Sequence, residues 1–356
     1  MYDTGEYDIH LDIPLDNYVV CNLFPSHLET IVDCVKQIAV KDKNTLIILL
    51  GAFQCIQERD FWILPLDEYC RSIDNPVIVF TGKLTQDADY QKPNTKFGYK
   101  SIGLFDLVSN QHWYQRKENQ QRVWDNDCYR ARPYKFYWAS SKDWYTRRYV
   151  LAGLIHNNLL SNNLVNYKCV HSDIPGLWIQ HRIESIWAAH IDQECHSVAN
   201  QIPLPAIDNT VEFTQTNVNF YLDSCLGIVT DTFFDNGIFF SEKIFNAINY
   251  QQLFFYIGYH NSLAYLRSQG YSTFDDIIDT SYDKIEEPGS RLVCARRSLL
   301  EFLTQSAKTI KLAYEKSVPS IKHNKQLLQQ QRPDLQFTEY IRDFLNENRT
   351  TCTNIS

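Results

Sequence analysis

The chain of 356 residues has no excess of basic side chains: 34 Lys and Arg stand against 42 Asp and Glu, a formal net charge of −8. No general field therefore draws it to nucleic acid. None of its ten cysteines forms a Cys-x-x-Cys pair, so a zinc site has no local support. No N-terminal stretch joins a basic start to an apolar run and a small-residue cleavage site. The apolar stretch from Thr45 to Phe53 falls far short of a bilayer span. No repeat of 20–50 residues is visible, which removes solenoids and propellers. These absences together predict a cytoplasmic globular protein with no membrane span.

Aromatic residues, by contrast, are abundant. The chain has 22 Tyr, 20 Phe and 7 Trp within a composition that is 44% hydrophobic and 21% charged. Such rings fill cores first, and otherwise serve as stacking platforms for sugars or bases. Cys21, Cys55, Cys169 and Cys225 lie in or beside apolar runs, and Cys34 and Cys294 in helical patterns. Buried free thiols in a reducing compartment account for them. The length fits two domains of ordinary size.

Runs of Val, Ile and Leu that do not alternate with polar residues predict a parallel sheet covered on both faces. They occur at Tyr18–Phe24, Thr45–Leu50 and Pro76–Phe80, with a helical pattern over His27–Val40 between the first two. The pattern then restarts. Strands are expected at Tyr134–Ser140, Tyr167–Val170, Phe220–Thr230 and Leu253–Ile257. Helices are expected at Thr146–Leu160, Ile183–Ala199, Glu242–Asn249, Ser262–Gln269 and Arg291–Lys316. Ile321–Gln331 reads as a linker or exposed helix, Phe337–Leu345 as a small amphipathic helix. The expected architecture is α/β, with domains at 1–130 and 131–320 and a helical tail at 321–356. In such sheets ligands bind outside the carboxyl ends of the strands.

The pattern richest in chemistry is Ser241-Glu242-Lys243, placed immediately before a helix. A helix start offers unpaired N–H groups and partial positive charge, and so welcomes phosphate. The lysine adds a full charge, and the carboxylate can accept from two ribose hydroxyls. A purely structural account is also open, with Ser241 as the N-cap and Glu242 favouring the helix dipole.

In its order of elements the chain resembles the alpha-1,3-fucosyltransferase-like glycosyltransferases. The residues that carry the likeness are Trp138-Ala139-Ser140-Ser141 followed by Arg147-Arg148, then Ile228 to Thr232, Ser241-Glu242-Lys243, Asn246-Ala247 and the strand ending in Gly258. It is more closely similar to glycosyltransferases of phage and large-virus genomes. There the likeness runs through Ser262-Leu263-Ala264-Tyr265-Leu266-Arg267, Gly270-Tyr271-Ser272-Thr273-Phe274, Ile278-Asp279-Thr280-Ser281-Tyr282-Asp283 and Arg291. Residues 134 to 295 are covered. Where the viral group has Glu, this chain has Asp231.

The resemblance implies a GT-B fold, two Rossmann-like domains facing a cleft with C-terminal helices, located in the host cytoplasm if the gene is viral. It implies a nucleotide-sugar donor, a glycan or other hydroxyl acceptor, and inverting transfer without a cofactor or metal. Glu242 would hold the ribose hydroxyls and Lys243 the diphosphate, with Arg147 or Arg148 as second cation. Ser140, Asp231, Thr232, Ser241 and Asn246 complete the implied donor site. A solvated helix start remains an alternative for the two arginines, and a loop-capping role for Asp231. For the catalytic base the candidates are Glu58 and Asp60, which follow the second strand; ordinary surface acids are the alternative. His181, His190 and His196, at helical spacings, read as structural.

Two further readings stay open. Between Gln111 and Tyr149 nine Lys and Arg interleave with Trp and Tyr, a pattern suited to DNA as well as to a nucleotide sugar. A viral enzyme that glycosylates hydroxylated DNA bases would use it. The chain could also be a non-catalytic nucleotide- or glycan-binding relative. Asp125-Asn126-Asp127 follows a polar stretch instead of ending a buried strand, so it reads as loop and not as a metal motif.

Overall fold

A computed structural model describes residues 18–22, 46–51, 77–81, 99–102, 131–140, 145–161, 163–167, 218–231, 234, 237–331, 339, 341–343 and 346. The chain divides into two compact units, one of Met1–Trp113 with Gln331–Ser356 and one of Tyr114–Gln330. The net charge divides unevenly between them. The first unit has 20 acidic against 12 basic residues, and the second has 22 of each.

In the first unit β1 (Tyr18–Asn22), β2 (Leu46–Gly51), β3 (Val77–Thr81) and β4 (Tyr99–Ile102) form a parallel sheet in that order. Val20 pairs with Ile48, and Ile48 with Ile78. The first three strands are the Val/Ile/Leu runs expected from sequence. The fourth was not expected, because Tyr-Lys-Ser-Ile has no apolar run. As the last strand in the order it is paired on one side among the described residues, and a short polar strand suffices there.

The second unit contains β5 (Tyr134–Ser140), α1 (Tyr145–His156), β6 (Leu164–Tyr167), α2 (Val218–Leu222) and β7 (Ser224–Thr230). These are followed by α3 (Glu242–Asn249), β8 (Leu253–Ile257), α4 (Ser262–Ser268), a 3-10 turn (Ser281–Lys284), α5 (Pro288–Leu303) and α6 (Ala307–Gln330). All pairings in its sheet are parallel, in the order β6-β5-β7-β8. Every residue of β7 and β8 is buried, which is why both read as unbroken apolar runs. The mixed α/β class with parallel sheets is therefore as expected.

Three local expectations are corrected. Residues 218–222 form a helical turn where a strand was expected from Phe220. The strand placed at Tyr167–Val170 begins three residues earlier, at Leu164, and residues 168–170 lie outside the described residues. The long helix placed at Arg291–Lys316 is two helices. Ser306 breaks it: its Oγ accepts from the Thr309 N–H at 3.1 Å and caps a new start. The second of the pair continues to Gln330, through the stretch left as linker or exposed helix. The helices placed at His27–Val40 and Ile183–Ala199 lie outside the described residues.

Close packing of α3 on β7 depends on a pair of small residues. A Cβ at Gly227 would come 3.2 Å from Ala247 Cβ. At the amino ends of the strands Arg132 is buried and donates to the carbonyls of Tyr221, Ser224, Tyr250 and Gln251, at 2.5 to 3.0 Å. Its guanidinium also lies 4.7 Å from the Tyr314 ring centre, which ties α6 to that edge. Lys135 donates to the carbonyls of Leu303, the last residue of α5, and of Gln305 beyond it. Burial pushes the Cys225 thiol up to about 11, against the lowering effect of Arg132, so it is a packed thiol and not a reactive one.

Candidate functional site

The order β6-β5-β7-β8 places a topological switch between β5 and β7. The chain proceeds from β5 outward to β6, then from β7 outward to β8 on the other side. Ligands of open parallel sheets bind beyond the strand ends at such a point. Five of the candidate residues belong to it. Ser140 ends β5, Arg147 and Arg148 lie on α1, Asp231 follows β7, and Ser241 precedes α3. Lys243 and Asn246 lie within α3.

Two side chains bridge the switch. Trp138 Nε1 donates to Thr230 Oγ1 at 3.2 Å, and Arg147 Nη2 reaches the Thr230 carbonyl at 3.4 Å. Arg147 is 1% exposed, whereas Arg148 and Lys243 are half-buried. Of the adjacent arginines, Arg148 thus keeps the more solvent-facing surface and Arg147 spans the strand ends. Ser140 is fully buried.

Asp231 is 2% exposed and organises the approach to α3. Its N–H donates to the Ile257 carbonyl at 2.9 Å, joining the end of β7 to that of β8. Its Oδ2 accepts from the Ser241 N–H at 3.2 Å and from the Tyr256 hydroxyl at 2.9 Å. That hydroxyl also lies 2.6 Å from the Phe239 carbonyl, so its one proton is shared by two acceptors. Burial first, and then the Asp231 carboxylate, push the Tyr256 phenol well above its ordinary range and keep it a donor. Gly258 makes room for this: a Cβ there would overlap the Tyr256 ring. Sequence reasoning missed Tyr256. Its signal was a tyrosine two residues before a glycine in a buried strand, positions that share one face.

Three helix starts in this unit are completed by a side chain. The Asp283 carboxylate accepts from the Leu263 and Ala264 N–H groups of α4, both at 3.0 Å. Glu287 accepts from Gly289 and Ser290 in α5, where Pro288 fills the first helical position. Ser306 caps α6. The start of α3 differs. Ser241 occupies the cap position in extended conformation, yet its side chain makes no cap bond. Among the described residues Ser241 Oγ and Asn246 Oδ1, both buried, have no hydrogen-bond partner. Of the two, Ser241 Oγ can donate to an anion whereas Asn246 Oδ1 can only accept, so the hydroxyl, together with the N–H groups of the helix start, is what suits phosphate.

On the far side of β8, His260 and Tyr259 follow Gly258, with ring centres 4.2 Å apart. Asn261 Nδ2 lies 3.2 Å from His260 Nδ1; with the amide donating, the ring proton sits on Nε2. Burial, and then Arg291, hold this imidazole below its usual range.

Glu58, Asp60 and Thr232 lie outside the described residues, as does the side chain of Glu242, the first residue of α3. The same holds for Asp125–Asp127, for His181, His190 and His196, and for residues 111–130 of the basic aromatic segment. Where that segment is described, much of it faces inward. Trp138, Tyr145 and Tyr149 are core, and Arg132, Lys135 and Arg147 donate to main-chain carbonyls. Among the described residues no group of three or more His, Cys, Asp or Glu is placed to hold a metal ion. No described helix is long and apolar enough to cross a membrane.

No family model matches the sequence, and no curated protein matches it. Solved structures that resemble the chain include an alpha,alpha-trehalose-phosphate synthase (UDP-forming) from Burkholderia vietnamiensis. It is 12% identical with a TM-score of 0.42, over 90% of this chain and 78% of that one. An alpha,alpha-trehalose 6-phosphate synthase from Burkholderia multivorans is also 12% identical with a TM-score of 0.42, over 92% of this chain and 76% of that one.

Proposed function

We propose that the chain is a glycosyltransferase of GT-B type, taking the diphosphate of a nucleotide-sugar donor at the start of α3. The observation that carries this is the start of α3, whose cap residue Ser241 makes no side-chain cap bond and whose first turn holds Lys243, at the switch point of a parallel sheet. The neighbouring start, α4, is already filled by Asp283 and offers no such place.

In this reading the α3 N–H groups and Lys243 hold the diphosphate, and Arg148 supplies the second cation. Glu242 takes the ribose hydroxyls. Asp231 acts through the Ser241 main chain, as the loop-capping alternative has it, and does not touch the sugar. The acceptor hydroxyl oxygen forms a bond to the anomeric carbon as the bond to the nucleoside diphosphate breaks. The leaving group departs with the electron pair, and the acceptor's proton passes to a carboxylate base, for which Glu58 and Asp60 are the candidates. Inversion follows from this single displacement. Lys243 and Arg148 stabilise the charge that gathers on the leaving diphosphate, work for which other transferases use a metal.

The test is thermal stability against a panel of nucleoside diphosphates and nucleotide sugars, with and without a chelator, for wild type and Lys243→Ala. A ligand at about 100 times its dissociation constant adds about 2.7 kcal/mol of stability. The expected result is a shift with one nucleotide, unaffected by chelator and lost in Lys243→Ala. No shift with any nucleotide, together with a shift on duplex DNA, overturns the proposal.

A further inference from the structure

The second unit buries two arginines that bond main-chain carbonyls at opposite ends of the same strands. Arg132 joins Tyr221, Ser224, Tyr250 and Gln251 at the amino ends. Arg291, 1% exposed on the first turn of α5, works at the carboxyl ends. Its Nε donates to the Gly258 carbonyl at 3.2 Å, and its Nη1 to those of Ile285 and Glu286, each at 2.7 Å. Its Nη2 donates to the Phe234 carbonyl, and the guanidinium lies 4.4 Å from the Phe234 ring centre and 5.8 Å from that of Tyr259. A planar fork of five donors can serve four carbonyls at once, which an ammonium cannot.

We infer that Arg291 is a positioning residue for the start of α3. This rests on reading that start as the diphosphate site. Phe234 lies in sequence between Asp231 and Ser241, in the connection from β7 to α3. That connection is tied to β8 at one end through Ile257 and Tyr256, and again at Phe239 and Ser241 through Tyr256 and Asp231. Arg291 ties it at Phe234 to Gly258, the residue that gives the Tyr256 phenol its room. The guanidinium thus sets where the connection leaves β7, and with it the direction from which α3 begins. Arg132, with the same chemistry at the opposite ends, holds the fold without touching this connection.

The pair supplies its own control. Wild type, Arg291→Ala, Arg291→Lys and Arg132→Ala of the full chain are compared by amide hydrogen exchange over residues 237–243 and by nucleoside diphosphate binding. In Arg291→Ala, exchange there rises and affinity falls, each by about tenfold or more, the scale of a lost charge-assisted bond. Millimolar guanidinium chloride restores both, and equimolar sodium chloride does not. Arg132→Ala lowers the melting temperature but leaves both readouts at wild-type values. Wild-type exchange over 237–243 in a folded Arg291→Ala overturns the inference, as does an equal rise in Arg132→Ala. If Arg291→Ala does not fold, Arg291→Lys decides: raised exchange over the same amides supports the inference, and unchanged exchange overturns it. Failure of wild type to bind any nucleoside diphosphate defeats the functional reading alone, since the exchange comparison still decides the positioning role.

Discussion

Two helices begin at neighbouring strand ends of the second sheet, α3 after β7 and α4 after β8, and their first turns are completed differently. At α4 the two oxygens of Asp283 accept the main-chain N–H groups of Leu263 and Ala264, 20 and 19 positions away in sequence. At α3 the cap position holds a serine whose hydroxyl makes no cap bond, followed two residues later by a lysine. A start satisfied from within the chain belongs to the fold. A start whose cap residue makes no side-chain cap bond, with that buried hydroxyl lacking a partner among the described residues, is suited to an anion from outside. The same electrostatics thus serves stability at one strand end and, on the proposed reading, binding at the next.

The largest expected break in this comparison is Asp283→Ala. It orphans the buried Leu263 N–H and the part-buried Ala264 N–H, at about 1–3 kcal/mol for a buried donor. Part of that is recovered, because burial already pushes the Asp283 carboxyl above its ordinary range, against the pull of the two N–H bonds and the nearby arginines. The net loss should be about 2–4 kcal/mol in denaturant unfolding, while nucleotide affinity of the folded protein stays at the wild-type value. Wild-type stability, or a lost nucleotide site, would show that the two starts are not separate devices.

Tyr256→Phe sharpens the contrast at lower cost. It removes one hydroxyl shared by Asp231 and the Phe239 carbonyl and leaves the ring in place. Stability should fall by about 1–2 kcal/mol. Unlike Asp283→Ala, this change should also weaken nucleoside diphosphate binding in calorimetry, because Asp231 holds the Ser241 N–H. Unaltered affinity would detach the Tyr256–Asp231 pair from the site.

How far the molecule could be read from its sequence follows the range of the interactions concerned. Strand β8 and helix α3 matched their expected bounds to the residue, since Ser241 marks the helix start and Gly258 the strand end. Ser241 and Lys243 stood out for the same local reason. The bonds that shape the start of α3 were not legible. Tyr256 reaches Asp231 across 25 positions, and Arg291 reaches Phe234 across 57. Periodicity carries no trace of either. Asp283 was visible only as one residue of a family likeness, although it decides that α4 is not a binding site. The basic aromatic stretch stayed open between two readings for a related reason. Composition cannot tell an arginine that faces solvent from one, such as Arg132, buried on four carbonyls. Ser306, which splits the last long helix, is a local signal that the apolar periodicity of its neighbours hid.

The smallest stability effect is expected at Ser241→Ala, and it discriminates most sharply. An N-cap serine that bonds its helix loses about 1 kcal/mol on truncation to alanine. Ser241 makes no such bond, so Ser241→Ala should stay within about 0.5 kcal/mol of wild type in denaturant unfolding. The same variant should lose affinity for a nucleoside diphosphate, because the buried Oγ gains its first partner when phosphate arrives. One such bond contributes about 0.5–1.5 kcal/mol net, a factor of roughly 2 to 10 in dissociation constant. A full capping loss with unchanged affinity would return Ser241 to the fold and make α3 the equivalent of α4. Retained stability with weakened binding is the combination that only an external anion at this helix start produces.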